Sequence, residues 1–190
     1  MWERKRGKKS RRGKYNRPDW SQAITETAER MKHSDFFAHL ATQVEKSIKV
    51  AQGQETDSIA LGDQFGLVCL GLGSISNSRS SRHQLALLDC LVAHFANVEL
   101  VAIYDPAFTE EDLAILRARY PSCALTPFEQ PRPKLLLYLP HVPVWLLDQT
   151  LRIQQALLQQ TVTISNNMNT LWEVVHDKHR KGDFKFKICL

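Results

Sequence analysis

The residues with the clearest chemical pattern are Gly71-Leu72-Gly73-Ser74-Ile75-Ser76, which match the G-x-G-x-x-G fingerprint except that Ser76 stands where the third glycine would be. In that fingerprint the first glycine makes a tight turn and the second lets the backbone approach a pyrophosphate. The third permits close packing of helix on strand. Ser74, Ser76, Ser78, Arg79 and Arg82 make the turn polar and cationic, a composition suited to a phosphate or another anion. One exposed helix end contributes only about 0.3–1 kcal/mol to such an ion, so useful affinity needs further contacts. Asp105 ends the next apolar segment, where dinucleotide and S-adenosylmethionine folds hold a ribose. It follows Gly71 by 34 residues, more than the roughly 20 of a dinucleotide fingerprint, and a long first helix accounts for the difference. The plainer alternative is that the glycines only turn the chain and Asp105 only opens an Asp-Pro connection.

His141 follows the apolar run Leu135–Leu139 and should reach the same sheet edge as Gly71 and Asp105. It is the candidate for proton transfer or for a single metal bond. No carboxylate is set beside it by spacing, so a histidine donating to a loop carbonyl is the competing reading. His33, His39, His83, His94, His176 and His179 form no recognisable ligand set, and neither a metal site nor a catalytic group is assigned. Cys69, Cys90, Cys123 and Cys189 fit neither a zinc pair nor a small disulfide framework and read as buried thiols of a reducing compartment. The sequence has no P-loop, nucleophile elbow or zinc-protease helix. Walker-type phosphoryl transfer, α/β-hydrolase chemistry and zinc proteolysis therefore lose support.

The elements that must position these residues follow from hydrophobic periodicity. Phe65–Leu70 is an apolar, β-favouring run, and apolar residues at 85, 88, 92 and 95 give Arg79–Phe95 one helix face. Asn97–Asp105 predicts a second strand, Thr109-Glu110-Glu111-Asp112 a helix start, and Ala124–Phe128 a short third strand. Pro131 and Pro133 make Glu129–Lys134 a loop. Beyond it, Leu135–Leu139 and Thr161–Ser165 predict strands and Val144–Leu158 a helix, with Met168–Arg180 a further helix and Phe184–Leu190 a closing strand. Ahead of the glycine turn, Trp20–Met31 and Ser34–Ala51 read as amphipathic helices packed on one sheet face, the second capped by Ser34. The β-α alternation predicts a parallel sheet with ligands at its strand C-termini.

The chain has 190 residues and 43% hydrophobic content, enough for one ordinary domain and a tail. Its net charge of +5 is uneven, because residues 1–17 hold nine Lys/Arg against Glu3 alone, which leaves the rest acidic. The tail is expected to be disordered. Lys5 to Arg12 is either a nuclear-localisation signal or a solvated run, and sequence-specific nucleic-acid binding is not expected because base readout needs more than charge. No apolar run reaches membrane-span length, and the N-terminus lacks the apolar segment of a secretory signal. The expected location is the cytoplasm, with the nucleus added if the tail acts as a signal.

Four segments together carry a resemblance: Leu70 to Ser76, Gln84-Leu85-Ala86-Leu87-Leu88, Tyr104-Asp105-Pro106-Ala107-Phe108-Thr109 followed by Glu110-Glu111, and Leu139-Pro140-His141. Over about residues 60 to 170 they resemble the domain family named for plant "sensitivity to red light reduced". The resemblance implies a regulatory protein, connected in plants with light signalling and the circadian clock and in animals with clock-gene expression and haem biosynthesis. It implies no settled catalytic activity. Two departures stand out: the family's Pro-His-Cys is Pro140-His141-Val142 here, and its later Gly-Asn-Ser is Ser165-Asn166-Asn167. A role that needs that cysteine, such as a thiolate bond to haem iron, is thereby placed in doubt.

The expected fold is α/β, a Rossmann-like three-layer sandwich with a mostly parallel sheet. Residues 1–17 form the basic tail and 18–190 a single domain, with N-terminal helices in 18–52 and the Rossmann-like core in 64–190. Gly71, Gly73, Ser74, Ser76, Gln84, Asp105, His141 and Asn166 are expected to form a ligand or partner pocket in a non-catalytic regulatory domain. The ligand would be an adenosyl, nucleotide or anionic small molecule, with protein partners besides; no cofactor is assigned. The alternative is an S-adenosylmethionine-dependent methyltransferase-like enzyme, with Gly71 and Gly73 near the methionine part and Asp105 on the ribose hydroxyls.

Overall fold

Residues 19–53 and 64–165 are described by a computed structural model, and they are built on four strands. These are β1 (Phe65–Leu70), β2 (Val98–Tyr104), β3 (Leu135–Leu139) and β4 (Thr161–Ser165), all paired in parallel in the order β2-β1-β3-β4. The central pair β1 and β3 is buried almost throughout. Central parallel strands have both faces covered, which is why these two read as unbroken apolar runs in the sequence.

Among the described residues five α-helices surround the sheet: α1 (Trp20–Lys32), α2 (Asp35–Ala51), α3 (Arg79–His94), α4 (Glu110–Arg119) and α5 (Val144–Ile153). Successive strand side chains point to opposite faces, so each strand feeds two cores. On the first face Leu67, Cys69, Leu136, Tyr138 and Val162 lie in one cluster with Ile24 of α1, Phe37 and Val44 of α2, and Leu85, Leu88 and Leu91 of α3. On the second, Val68, Leu70, Leu135, Leu137 and Leu139 meet Leu146 and Leu147 of α5 and the loop residue Phe128. The expected α/β sandwich with helices on both faces is therefore present.

Polar residues fix where the helices begin. Asp19, Ser34 and Ser78 each accept, at 3.0 to 3.2 Å, the backbone N–H three residues on, which satisfies a donor without an intrahelical partner. Ser34 is thus the cap that the sequence predicts. Across the first face, Arg119 Nε donates to both Asp89 oxygens at 2.8 and 2.9 Å, and its Nη2 donates to Thr25 Oγ1 at 3.1 Å. The Tyr120 hydroxyl also donates to Asp89 Oδ1, so one carboxylate ties α3 to the end of α4, and Arg119 reaches on to α1. Burial and the neighbouring Asp89 push the Tyr120 phenol far above its ordinary value.

Two elements differ from expectation. Ala124–Phe128 is not a strand: only Ala124 bridges to β2, donating to Val101 O at 3.0 Å and accepting from Ile103 N at 2.9 Å. Pro127 has no N–H to continue a ladder, and the chain passes from Leu116 in the first cluster to Phe128 in the second. The helix from Val144 stops at Ile153 and continues only as a 3₁₀ turn, Gln155–Gln160. Gln154, fully buried, accepts from Arg132 N at 2.9 Å and donates to Arg132 O and Thr161 Oγ1. Its amide thereby pins the proline-rich loop to the start of β4. The basic tail, the Met168–Arg180 helix and the Phe184–Leu190 strand lie outside the described residues, as do His176, His179 and Cys189.

The cysteine pattern gives a direct test. Cys69 and Cys90 have no exposed surface, and Cys90 Sγ donates to Ala28 O at 3.3 Å. Burial pushes the Cys69 thiol well up, and burial with Asp89 beside it pushes Cys90 up to about 11. Because the thiolate is the reacting form, iodoacetamide at mildly alkaline pH should leave both unlabelled in native protein. Peptide mass spectrometry should find both labelled once denaturant is added; labelling of either at native rates comparable to a free thiol would contradict the packing.

Candidate functional site

The connections leaving β1 and β3 diverge, one to α3 on the first face and the other to α5 on the second. In an open parallel sheet that divergence is a topological switch point, the place where a crevice at the strand C-termini receives ligands. Gly71 sits in it. Its N–H donates to Tyr104 O of β2 at 3.2 Å, and its carbonyl accepts from His141 N at 3.0 Å, so one residue joins the exits of three strands. Its φ is +76°, and an added Cβ would lie 2.5 Å from both Cα and N of Val142. Gly73 also has φ +76°, with Ser81 Oγ 2.7 Å from where a Cβ would be. Both glycines are thus required by the conformation and the close approach, as a tight turn at this edge demands.

Two carboxylates, Asp105 just after β2 and Asp112 in the first turn of α4, hold the turn. Asp105, 8% exposed, accepts from Gly73 N through Oδ2 and from Ala107 N through Oδ1, both at 2.7 Å. Asp112 is fully buried and accepts from Ser76 N at 2.7 Å and Thr109 N at 2.9 Å. In return Thr109 Oγ1 accepts from Asp112 N at 3.2 Å, which completes a capping box at the start of α4. Burial raises the Asp112 carboxyl, but the backbone N–H groups of Thr109 and Ser76 and the hydroxyls of Ser74 and Ser76 together outweigh it and hold the group below its ordinary value. Ser74 Oγ lies 3.3 Å from Ser76 Oγ and accepts from Asn77 Nδ2 at 2.9 Å.

The structure thus brings Gly71, Gly73, Ser74, Ser76 and Asp105 into one pinned loop and sets the backbone of His141 against it. The His141 side chain is exposed. Gln84 lies on α3, 8% exposed, with Nε2 3.4 Å from Ser80 Oγ and its backbone carbonyl accepting from Tyr138 OH at 3.3 Å. Asn166 falls outside the described residues. Arg82 is not presented to an anion: its Nη1 donates to Ile75 O at 2.7 Å, and its guanidinium lies 4.0 Å over the Trp20 ring, a cation–π contact. Asp112 is the functional residue that sequence reasoning missed as such. Its position three residues after Thr109 was the available signal, a capping-box spacing that marks the helix start without showing the distant Ser76.

Chemically, this is a turn whose Gly73 and Ser76 N–H groups already face carboxylate oxygens. Among the described residues no group of three or more His, Cys, Asp or Glu could hold a metal ion, and no helix is long and apolar enough to cross a membrane. Parallel strands, helices on both faces and a glycine turn at the switch point define a Rossmann-like α/β domain. The chain belongs to the SRR1 domain family, whose match covers residues 32–189. That span is longer than the stretch of legible motifs and takes in α2. Neither the curated proteins nor the solved structures yielded a match.

Proposed function

We propose that this SRR1 domain protein is a regulatory, non-catalytic binding domain whose ligand or partner pocket lies at the exits of β1 and β3. The observation that carries the reading is the use made of Asp105: both oxygens accept backbone N–H groups, from Gly73 and Ala107. A general acid or base must instead present its carboxyl to a substrate, and a ribose-holding aspartate must present it to hydroxyls. Asp105 used to hold its own turn favours the binding reading over the methyltransferase-like one. The pocket would be framed by Gly71, Gly73, Ser74, Gln84 and His141, with protein partners engaged by the same protein. Family membership supports a part in clock and light signalling and in the regulation of haem biosynthesis, exercised in the cytoplasm and, through the basic tail, the nucleus.

The test is an amide chemical-shift titration of the isotope-labelled full chain with S-adenosylhomocysteine, NAD and haemin in turn. At least one should move amides of residues 71–77 and 140–142 without being consumed. A reproducible turnover, abolished by His141→Ala in protein that remains folded, would overturn the non-catalytic reading.

A further inference from the structure

We propose that this site takes an uncharged ligand that donates hydrogen bonds, and that Asp105 and Asp112 are the residues that keep a phosphate out. The inference rests on the reading that the β1 and β3 exits bind a small molecule, and it names that molecule's chemical class. A phosphate at a glycine turn is held by free backbone N–H groups and by the positive end of the following helix. Here the N–H groups of Gly73 and Ser76 each donate to a carboxylate oxygen at 2.7 Å. The anion seat is filled by the chain's own carboxylates, and a phosphate entering it would meet two negative charges. Of the two cations in the first turn of α3, Arg82 is committed to Ile75 O and to the face of Trp20, and Arg79 is exposed to solvent.

Gln84 supplies the independent observation. Its side chain runs back toward the first turn of α3, where Nε2 meets Ser80 Oγ, while Oε1 is shielded from solvent and has no hydrogen-bond partner. A buried acceptor without a donor is rare in folded proteins. An N–H or O–H from a ligand would satisfy it; a phosphate oxygen, an acceptor itself, would not. Charge at the turn and the orphan acceptor therefore select the same ligand, neutral and donor-bearing. Adenosine is a probe of that class, and pyrophosphate and ADP are probes of the excluded one.

The full chain, Asp105→Ser and Gln84→Leu would be compared by thermal shift and amide chemical-shift titration. Pyrophosphate should leave the wild-type Tm and the Gly73 and Ser76 amides unchanged. In Asp105→Ser it should raise Tm, in a manner abolished by added salt, because the Gly73 N–H is released. Adenosine should move amides around Gln84 in the wild type and bind at least tenfold more weakly to Gln84→Leu. Pyrophosphate or ADP binding to the wild-type turn would overturn the charge selection while leaving the ligand site standing, and so would a folded Asp105→Ser that gains nothing. Should that variant fail to fold, the wild-type pyrophosphate titration decides alone. No response of these amides to adenosine, ADP or pyrophosphate would count against the ligand-site reading itself.

Discussion

Gly71→Ala should destabilise the fold by about 2–5 kcal/mol, whereas Gly53→Ala should cost only about 1–2 kcal/mol. The two glycines share a positive φ, +76° and +70°, so both substitutions carry the strain of a left-handed conformation. They differ in what the new methyl group meets. At Gly53 nothing lies within 4 Å, while at Gly71 the Cβ would sit 2.5 Å from the backbone of Val142 and 2.7 Å from the His141 carbonyl carbon. Backbone cannot swing aside as a flexible side chain can. To make room the exit loops of β1 and β3 must separate, and the hydrogen bond from His141 N to Gly71 O must lengthen or break. Since a domain of this kind has a margin of only about 5–15 kcal/mol, urea denaturation should show a large fall in midpoint for Gly71→Ala and a small one for Gly53→Ala. Equal midpoints would mean that the loops are not in contact.

That loop contact also shows what the sequence could and could not disclose. The strand-turn-helix around Gly71 was legible, because an apolar run, two glycines and a helical repeat are local patterns. The sheet edge that gathers Gly71, Asp105 and His141 followed from the β-α order. The partners of those residues did not follow. The position of Asp105 fits either a ribose contact or the opening of an Asp-Pro connection, and nothing local in the sequence shows that its partners are the N–H groups of Gly73 and Ala107. Arg82 was read as a cation for an anion, yet its ring partner, Trp20, comes from a helix far earlier in the chain. Contacts between loops distant in sequence leave no periodicity to detect. The Ala124–Phe128 strand failed for a related reason: apolar composition marks a segment as buried without saying whether it pairs, and only Ala124 does. Gln154 ended a helix early through a bond to Arg132, a choice no propensity scale contains.

Asp112 should be the most acid-sensitive support of the site. Its carboxylate is fully buried and serves Ser76 N and Thr109 N, so Asp112→Ala leaves two part-buried donors without that partner. At about 1.5–3 kcal/mol for each charge-assisted bond, the expected loss near neutral pH is about 3–6 kcal/mol. Asp112→Asn retains one acceptor oxygen and should lose about half as much. The pH dependence has a definite sign. In the folded protein the carboxyl is held below its ordinary value, so the unfolded chain takes up the proton first as pH falls. Its contribution is therefore complete above the unfolded pKa, roughly 4, and is lost as pH falls through the lower folded value. Wild type and Asp112→Asn should then differ by a constant amount from neutral pH down to about 5 and converge in stronger acid. Urea unfolding of the pair across that range checks it, and subtracting the variant removes the other carboxylates common to both. A difference that instead widened on acidification would show that burial prevails over the N–H groups. The folded protein would then take up that proton before the unfolded chain does, and the charge invoked to keep phosphate out would be lost first as pH falls.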